Sequence, residues 1–300
     1  MSRRATILRH NLIRRKLQNG REASFKEICN YLAQEAELSG EDLDISKRTF
    51  QRDLNDIRTL YDIDIQCNSS HLYYIADEGI QPEVNTRMLE AFDLYNSLKM
   101  AEGVSPFIYL EKRRPQGTEH IYGLLHAIQN RRILCFDYQK FWEDESTHRT
   151  TEPYGLKEFK SRWYLLAKDR KDGNVKTFGL DRMQNIEITR EKFAQPKDFD
   201  ADKMFSHCFG IIAAPGEIPQ EIILSFNPGQ GQYIKTYPLH ESQEVIKDNG
   251  DELQIKLTLH ITHDFIMELL SHGEWMKVVS PASLKNEVCK AYSAALKQYK

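Results

Sequence analysis

The chain has 300 residues, enough for about two domains at roughly 150 residues each, or for three small modules. It is 40% hydrophobic and 28% charged, which excludes wholesale disorder, and no apolar run approaches the roughly 20 residues that span a bilayer. The formal net charge of −3 excludes a uniformly basic chain, so what matters for partners is where the charge sits.

Residues 1–21 hold Arg3, Arg4, Arg9, Arg14, Arg15, Lys16 and Arg21 with no Asp or Glu, whereas residues 35–44 are acidic. Such a one-sided run is either a solvated cationic helix face or one end of a nucleic-acid surface. No apolar stretch follows Arg3 and Arg4, so no leader is expected. The five cysteines are scattered and odd in number, without a C-x-x-C pair. That predicts a cytoplasmic protein with neither a disulfide framework nor structural zinc.

In chain order, Ile7, Leu8, Leu12, Ile13 and Leu17 recur at helical spacing and predict a first helix over residues 4–18, closed by Gly20. Ser24 predicts the N-cap of a second helix, with Glu27 completing a capping box and Ile28, Tyr31 and Leu32 on the apolar face. After a polar loop, Ser46 caps a third helix on which Phe50, Leu54, Ile57 and Leu60 share a side. Two short strands, 63–65 and 72–75, follow. Three helices and a hairpin are the order of a winged helix-turn-helix. Ser46, Lys47, Arg48, Thr49, Gln51 and Arg52 crowd the first turns of the third helix. Arg and Gln pair with base edges in the major groove, while Ser, Thr and a helix N-terminus suit phosphate oxygens. An ordinary surface helix can carry the same residues. The basic helix before it and the hairpin after it favour a recognition helix for double-stranded DNA.

Residues 78–117 are expected to be a connector, with a helix over 83–102 whose apolar stripe serves packing or dimerisation. From residue 118 the pattern predicts a helix over 119–130, then strands at 133–138, 149–156, 161–168, 176–180 and 186–189, a small barrel or sandwich. From residue 219 it predicts strands at 221–226, 251–261 and 276–279, with helices at 231–236, 264–271 and 281–299. Residues 227–231 are expected to form a turn. The whole is an α+β multi-domain chain.

Catalytic signatures are weak. His260 and His263 would face opposite sides of a strand, His207-Cys208 has no nucleophile context, and none of the common nucleotide-loop, hydrolase or zinc-protease motifs occurs. No catalytic residue, metal or cofactor is expected.

The run Ser161-Arg162-Trp163-Tyr164-Leu165-Leu166-Ala167, followed by Thr177-Phe178-Gly179-Leu180-Asp181-Arg182-Met183, resembles the WYL-domain family of transcriptional regulators. Phe136-Asp137-Tyr138 and residues 149–156 fit the same pattern. Residues 45–54 resemble the family's winged helix, and residues 270–281 with the helix after them resemble its C-terminal extension. The resemblance covers nearly the whole chain. It implies a winged helix over 1–77, a helical linker over 78–117, and an Sm-like, SH3-type barrel that senses a ligand over 118–205. The remainder, 206–300, would be an extension that dimerises. It also implies a nucleotide or nucleic-acid effector and, as a setting, phage-defence control. This chain has Lys176 where many relatives have Arg, and Lys cannot make Arg's bidentate fork to phosphate.

Strand parity places Trp163 and Leu165 on one face and Arg162, Tyr164 and Leu166 on the other, while Lys176, Phe178, Leu180 and Arg182 share a side. Together with Tyr138 and Arg149, a ligand surface of Tyr138, Arg149, Arg162, Tyr164, Lys176 and Arg182 would pair cations with phosphates and aromatic faces with bases. The same residues also fit a barrel core ringed by scattered surface cations. The expected function is a ligand-responsive, homodimeric regulator bound to a duplex operator. The alternative is a single-stranded nucleic-acid binding protein working through the barrel.

Overall fold

A computed structural model of the chain describes residues 3–77, 87, 91, 111–113, 116–143, 145–196 and 199–300. It divides into two units, residues 1–111 and 112–300. Both mix helices with antiparallel sheets. No helix among the described residues is long and apolar enough to cross a membrane.

In the first unit, α1 (Arg3–Leu17), α2 (Phe25–Ser39) and α3 (Lys47–Tyr61) surround one core built on Leu12, Ile13, Ile28, Leu32, Phe50 and Ile57. Ser24 caps α2 as the sequence predicts. Its hydroxyl accepts the Glu27 N–H, and the Glu27 carboxylate accepts the Ser24 N–H at 2.7 Å. The two-residue β1 (Ala23–Ser24) pairs with β3 (Leu72–Asp77), which pairs in turn with β2 (Asp64–Cys67). Phe50 stacks edge-on against Tyr73 of β3, joining α3 to the hairpin. The helix expected over 83–102 lies almost wholly outside the described residues.

The cationic run of α1, read from the sequence either as a solvated face or as one end of a nucleic-acid surface, is partly spent inside the fold. Arg9 is fully buried and Arg14 nearly so. Arg9 grips Asp53 of α3 with two N–H donors, Nε at 2.5 Å and a terminal nitrogen at 2.9 Å. A buried carboxylate needs such a partner, and the apolar spacing of α1 carries no sign of it.

The second unit opens with a 3-10 turn (Thr118–His120) and α4 (Ile121–Gln129). Strands β4 (Arg132–Tyr138), β5 (Thr147–Phe159), β6 (Arg162–Asp169), β7 (Val175–Gly179) and β8 (Met183–Lys192) follow. They form one antiparallel sheet in the order β7-β6-β5-β4-β8. Its core gathers Leu134, Phe136, Tyr138, Leu165 and Phe178 under Leu124 of α4. A short α5 (Ala201–Phe205) follows and packs Phe205 against Leu166 of β6.

A second sheet runs β10-β11-β9-β12, from β9 (Gln220–Phe226), β10 (Glu244–Asp248), β11 (Leu253–Leu259) and β12 (Met276–Ser280). Buried and half-buried residues alternate along β11, and α6 (Pro228–Thr236), α7 (His263–Ser271) and α8 (Ala282–Lys297) contribute to the core behind it.

Three local expectations are corrected. The single strand expected over 251–261 is the second arm of a hairpin, because β10 is exposed at every residue and shows no alternation to read. Residues 227–231 start a helix rather than make a turn. The Asn227 side chain accepts the Gln230 N–H, and Pro228 sits at the first helical position, where its missing N–H costs nothing. β11 stops at Leu259, so His260 follows a strand and His263 opens a helix.

Candidate functional site

Two sites can be built from the described residues, one in each unit. On α3, Ser46 is the N-cap, its hydroxyl accepting the Thr49 N–H at 3.2 Å. That fixes the first turn, from which Lys47, Arg48, Gln51 and Arg52 project into solvent, with Thr49 half-buried. The opposite side of the helix is sunk in the core through Phe50, Leu54 and Ile57, and Asp53 is clamped by Arg9. Arg52 is 61% exposed and reaches Asp53 only at 3.9 Å, so its guanidinium is largely free to meet a partner. The same helix therefore divides into an apolar side that orients it and a polar side that it presents. His10, Asp53 and Asp56 bring metal-ligand atoms within 4.8 Å of one another, but both Asp53 oxygens already accept N–H donors from Arg9.

The second site is a cavity of about 490 Å³ at the β7 end of the five-stranded sheet. Tyr138, Lys140, Arg149, Lys176 and Arg182 supply its polar wall, with Phe178 between them. Of the six ligand residues expected from the sequence, the structure brings together four: Tyr138, Arg149, Lys176 and Arg182. Arg162 and Tyr164 do not join that wall. The Arg162 side chain is 57% exposed and pairs with Asp181 at 3.3 Å. Tyr164 is buried, and that burial pushes its phenol up from the usual value.

Parity sorts the two faces of β6 correctly but says nothing of their exposure, and both faces are covered. Leu165 and Ala167 enter the sheet core, while Leu166 packs against Phe205 and Cys208 from the segment that follows the sheet. Parity ends at Leu180, which is buried in a 3-10 turn.

The wall has its own electrostatic order. Asp169 is fully buried and accepts from both Arg149 (3.0 Å) and Lys176 (2.9 Å). Burial by itself would raise its carboxyl, but the Lys171 amide and the two cations outweigh that and hold it below the usual value. Lys176 also meets Asp172 at 2.5 Å, and Lys140 meets Glu143 at 2.7 Å. Arg182 differs. Its Nε comes no closer than 3.6 Å to Asp181 and has no hydrogen-bond partner, while its guanidinium lies over the rings of Tyr138 (5.3 Å) and Phe141 (5.1 Å). Gly179 makes room for it, since a Cβ there would come within 2.6 Å of a terminal nitrogen. Tyr138 is held in turn, its hydroxyl accepting the Gly179 N–H at 3.2 Å.

Sequence reasoning missed Lys140, the Asp169 that pairs with two of the wall's cations, and a further wall formed by Met204 of α5 and by Ile211, Ile212, Ala213 and Pro215 from the segment after it. None of these lies in a repeating pattern, and only the folded chain brings them to β7.

Residues 119–188 match the WYL domain family and residues 219–296 match the WCX domain family. The chain thus carries a WYL domain followed by a WCX domain. The five-stranded sheet up to the middle of β8 and most of its cavity wall fall inside the WYL match, and the four-stranded sheet with α6, α7 and all but the last residue of α8 falls inside the WCX match. The WYL-domain chain is similar to Protein PafB of Mycobacterium tuberculosis, 35% identical over 69 residues, which are 23% of this chain and 21% of PafB. It is also similar to Protein PafC of Mycobacterium tuberculosis, 23% identical over 203 residues, which are 67% of this chain and 61% of PafC. The match thus spans only part of each of these curated relatives. Among solved structures, proteasome accessory factor B/C (PafBC) of Arthrobacter aurescens aligns with a TM-score of 0.36 at 21% identity, covering 96% of this chain and 46% of that one. A crystal structure of a CRISPR Cas-related protein aligns with a TM-score of 0.41 at 11% identity, covering 99% and 85%.

Proposed function

We propose that this WYL-domain protein is a DNA-binding transcriptional regulator that responds to a phosphate-bearing ligand, a nucleotide or short oligonucleotide. Residues 1–77 act as a winged helix with α3 as the recognition helix, and the five-stranded sheet acts as an Sm-like sensing barrel. Residues 78–117 link the two, and residues 206–300 form the extension that supports a homodimer. The observation that carries the reading is the division of α3: Lys47, Arg48, Gln51 and Arg52 face solvent while the other side is locked into the core. Exposed Arg and Gln on a capped helix followed by a hairpin suit base edges and phosphates in the major groove. A dimer would set two such helices about 34 Å apart on a pseudo-palindromic operator. Phage-defence genes are expected as targets from the family resemblance alone.

The cavity supports the sensing half. It combines an uncommitted guanidinium, Arg182, with aromatic rings and cations held in reserve by Asp169. A ligand shifts DNA binding only if it binds the DNA-competent and incompetent states unequally.

The test is binding of the purified protein to duplex DNA from its own upstream region, against scrambled duplex and single strands, over a salt series. Sequence-selective duplex binding with a steep salt slope is expected, weakened in Arg48→Ala and Arg52→Ala without loss of fold. Equal affinity in both variants would remove α3 from the role. Tighter binding to single strands without operator selectivity would move the function to the barrel.

A further inference from the structure

Residues 206–215 join the WYL sheet to the WCX sheet, and they are anchored on both sides. On one side, the Thr177 hydroxyl of β7 donates to the Ile211 carbonyl at 3.3 Å. On the other, the N–H groups of Ile211 and Ile212 both donate to one oxygen of Asp264, at 2.9 and 3.2 Å. Asp264 lies in the first turn of α7. Its second oxygen accepts the Thr262 hydroxyl and the Phe265 N–H, so the carboxylate is fixed before it meets the segment. The approach is close. A Cβ at Gly210 would fall 2.3 Å from the Asp264 oxygen and 2.8 Å from the Phe159 ring. Phe209 bridges the same junction, its ring 5.5 Å from Phe159 of β5 and 5.6 Å from Phe265 of α7.

The segment pinned this way carries Ile211, Ile212 and Pro215 into the cavity, opposite Lys176 and Arg182. We infer that the ligand cavity is a composite site, and that Asp264 of the WCX sheet unit is a positioning residue that holds its apolar wall in place. The WYL sheet supplies the cations and rings, and the strap supplies the surface against which the apolar part of a ligand packs. Two amide donors on one carboxylate oxygen are charge-assisted and stronger than neutral pairs, so losing that oxygen releases the strap. The site is then incomplete without the C-terminal module, and a ligand in the cavity presses directly on a segment tied to α7. The inference rests on the reading of the cavity as a phosphate-ligand site only for the nature of the probe.

The experiment uses the full chain with Asp264→Ala and Gly210→Ala, one removing the acceptor and the other displacing it, and Asp264→Asn as the conservative variant. Hydrogen exchange is followed at residues 209–215, with β9 and β11 amides as the control for folding, and binding of a fluorescein-labelled thymidine tetranucleotide is measured in parallel. Expected are exchange at the strap faster by about tenfold or more in both disrupting variants, unchanged protection in β9 and β11, and probe affinity lower by about tenfold. Asp264→Asn, which keeps one carbonyl oxygen, should fall between these variants and the wild type. Unchanged strap exchange overturns the inference, as does a freed strap with unchanged affinity. Loss of protection in β9 and β11 as well would make Asp264 a fold residue and overturn its positioning role. If the wild-type protein takes up no probe, the phosphate-ligand reading falls, and strap exchange alone decides whether Asp264 holds the wall.

Discussion

At the scale of single residues, the cavity distinguishes cations by what they already hold. Lys140, Arg149 and Lys176 each hydrogen-bond a carboxylate, so a phosphate entering the cavity must compete with Glu143, Asp169 or Asp172. Arg182 has no such bond to give up, and the rings on either side hold it in place. On the phosphate-ligand reading, binding is expected to depend most on Arg182, whose buried Nε–H has no partner to give up. Arg182→Ala is expected to weaken tetranucleotide binding by about tenfold or more, whereas Arg162→Ala, outside the cavity wall, leaves it unchanged. Fluorescence titration checks both, and the reverse order of effects would reassign the site. The Trp-Tyr-Leu run made Arg162 and Tyr164 attractive as ligand residues. Tyr164 is lost to the cavity because β6 is covered on both faces, and Arg162 because it stays in solvent and pairs with Asp181, neither of which a spacing rule on one strand reveals.

At the scale of elements, the sequence was most legible where a local hydrogen bond defines a boundary. Ser24 and Ser46 stand at the starts of α2 and α3 because their hydroxyls satisfy orphan N–H groups of the first turn. Ser24→Ala is expected to cost about 0.5–2 kcal/mol of stability, read as a lower urea midpoint with unchanged slope. A midpoint equal to that of the wild type would mean that the cap is replaced by other donors or acceptors. Asn227 carries the same signal, hidden in the sequence by the glycines after it, which have the look of a turn. The opposite failure is β10, an edge strand exposed at every residue, whose place is fixed by pairing with β11 rather than by its own side chains.

At the scale of the whole molecule, charge that looks free in the sequence is partly consumed in the fold. The seven cations of residues 1–21 include Arg9, which holds α1 to α3 across 44 residues through Asp53. His10, also buried, lies 3.5 Å from the same carboxylate. Removing one partner of a buried pair leaves an uncompensated charge, so Asp53→Ala is expected to destabilise by about 3–5 kcal/mol. Chemical denaturation checks this, and a loss below about 1 kcal/mol, the level of a surface pair, would show that the pair is not a clamp. The pH dependence has a definite sign. Burial alone would raise the Asp53 carboxyl, yet His10 and Arg9 outweigh it and hold the folded value below the usual one. The stabilisation is therefore complete above the unfolded value of about 3.9 and is lost as pH falls through the lower folded value. Wild-type stability should drop steeply below about pH 4, and Asp53→Asn should flatten that drop. Parallel acid-denaturation curves for the two proteins would overturn the assignment.

The sequence by itself determined α1, α2 and α3, the caps that start α2 and α3, the α+β character of the chain and its WYL and C-terminal extension regions. Each of these rests on local chemistry, such as hydroxyls at helix starts, apolar spacing along one element, or a contiguous motif. The tertiary structure decided which cations are spent and which are available, that both faces of β6 are covered, and where the cavity's second wall comes from. Those depend on residues far apart in the chain, Arg9 with Asp53, Arg149 with Asp169, and Ile211 with Asp264, whose pairing has no period and is settled only when burial forces each charge and each amide to find a partner.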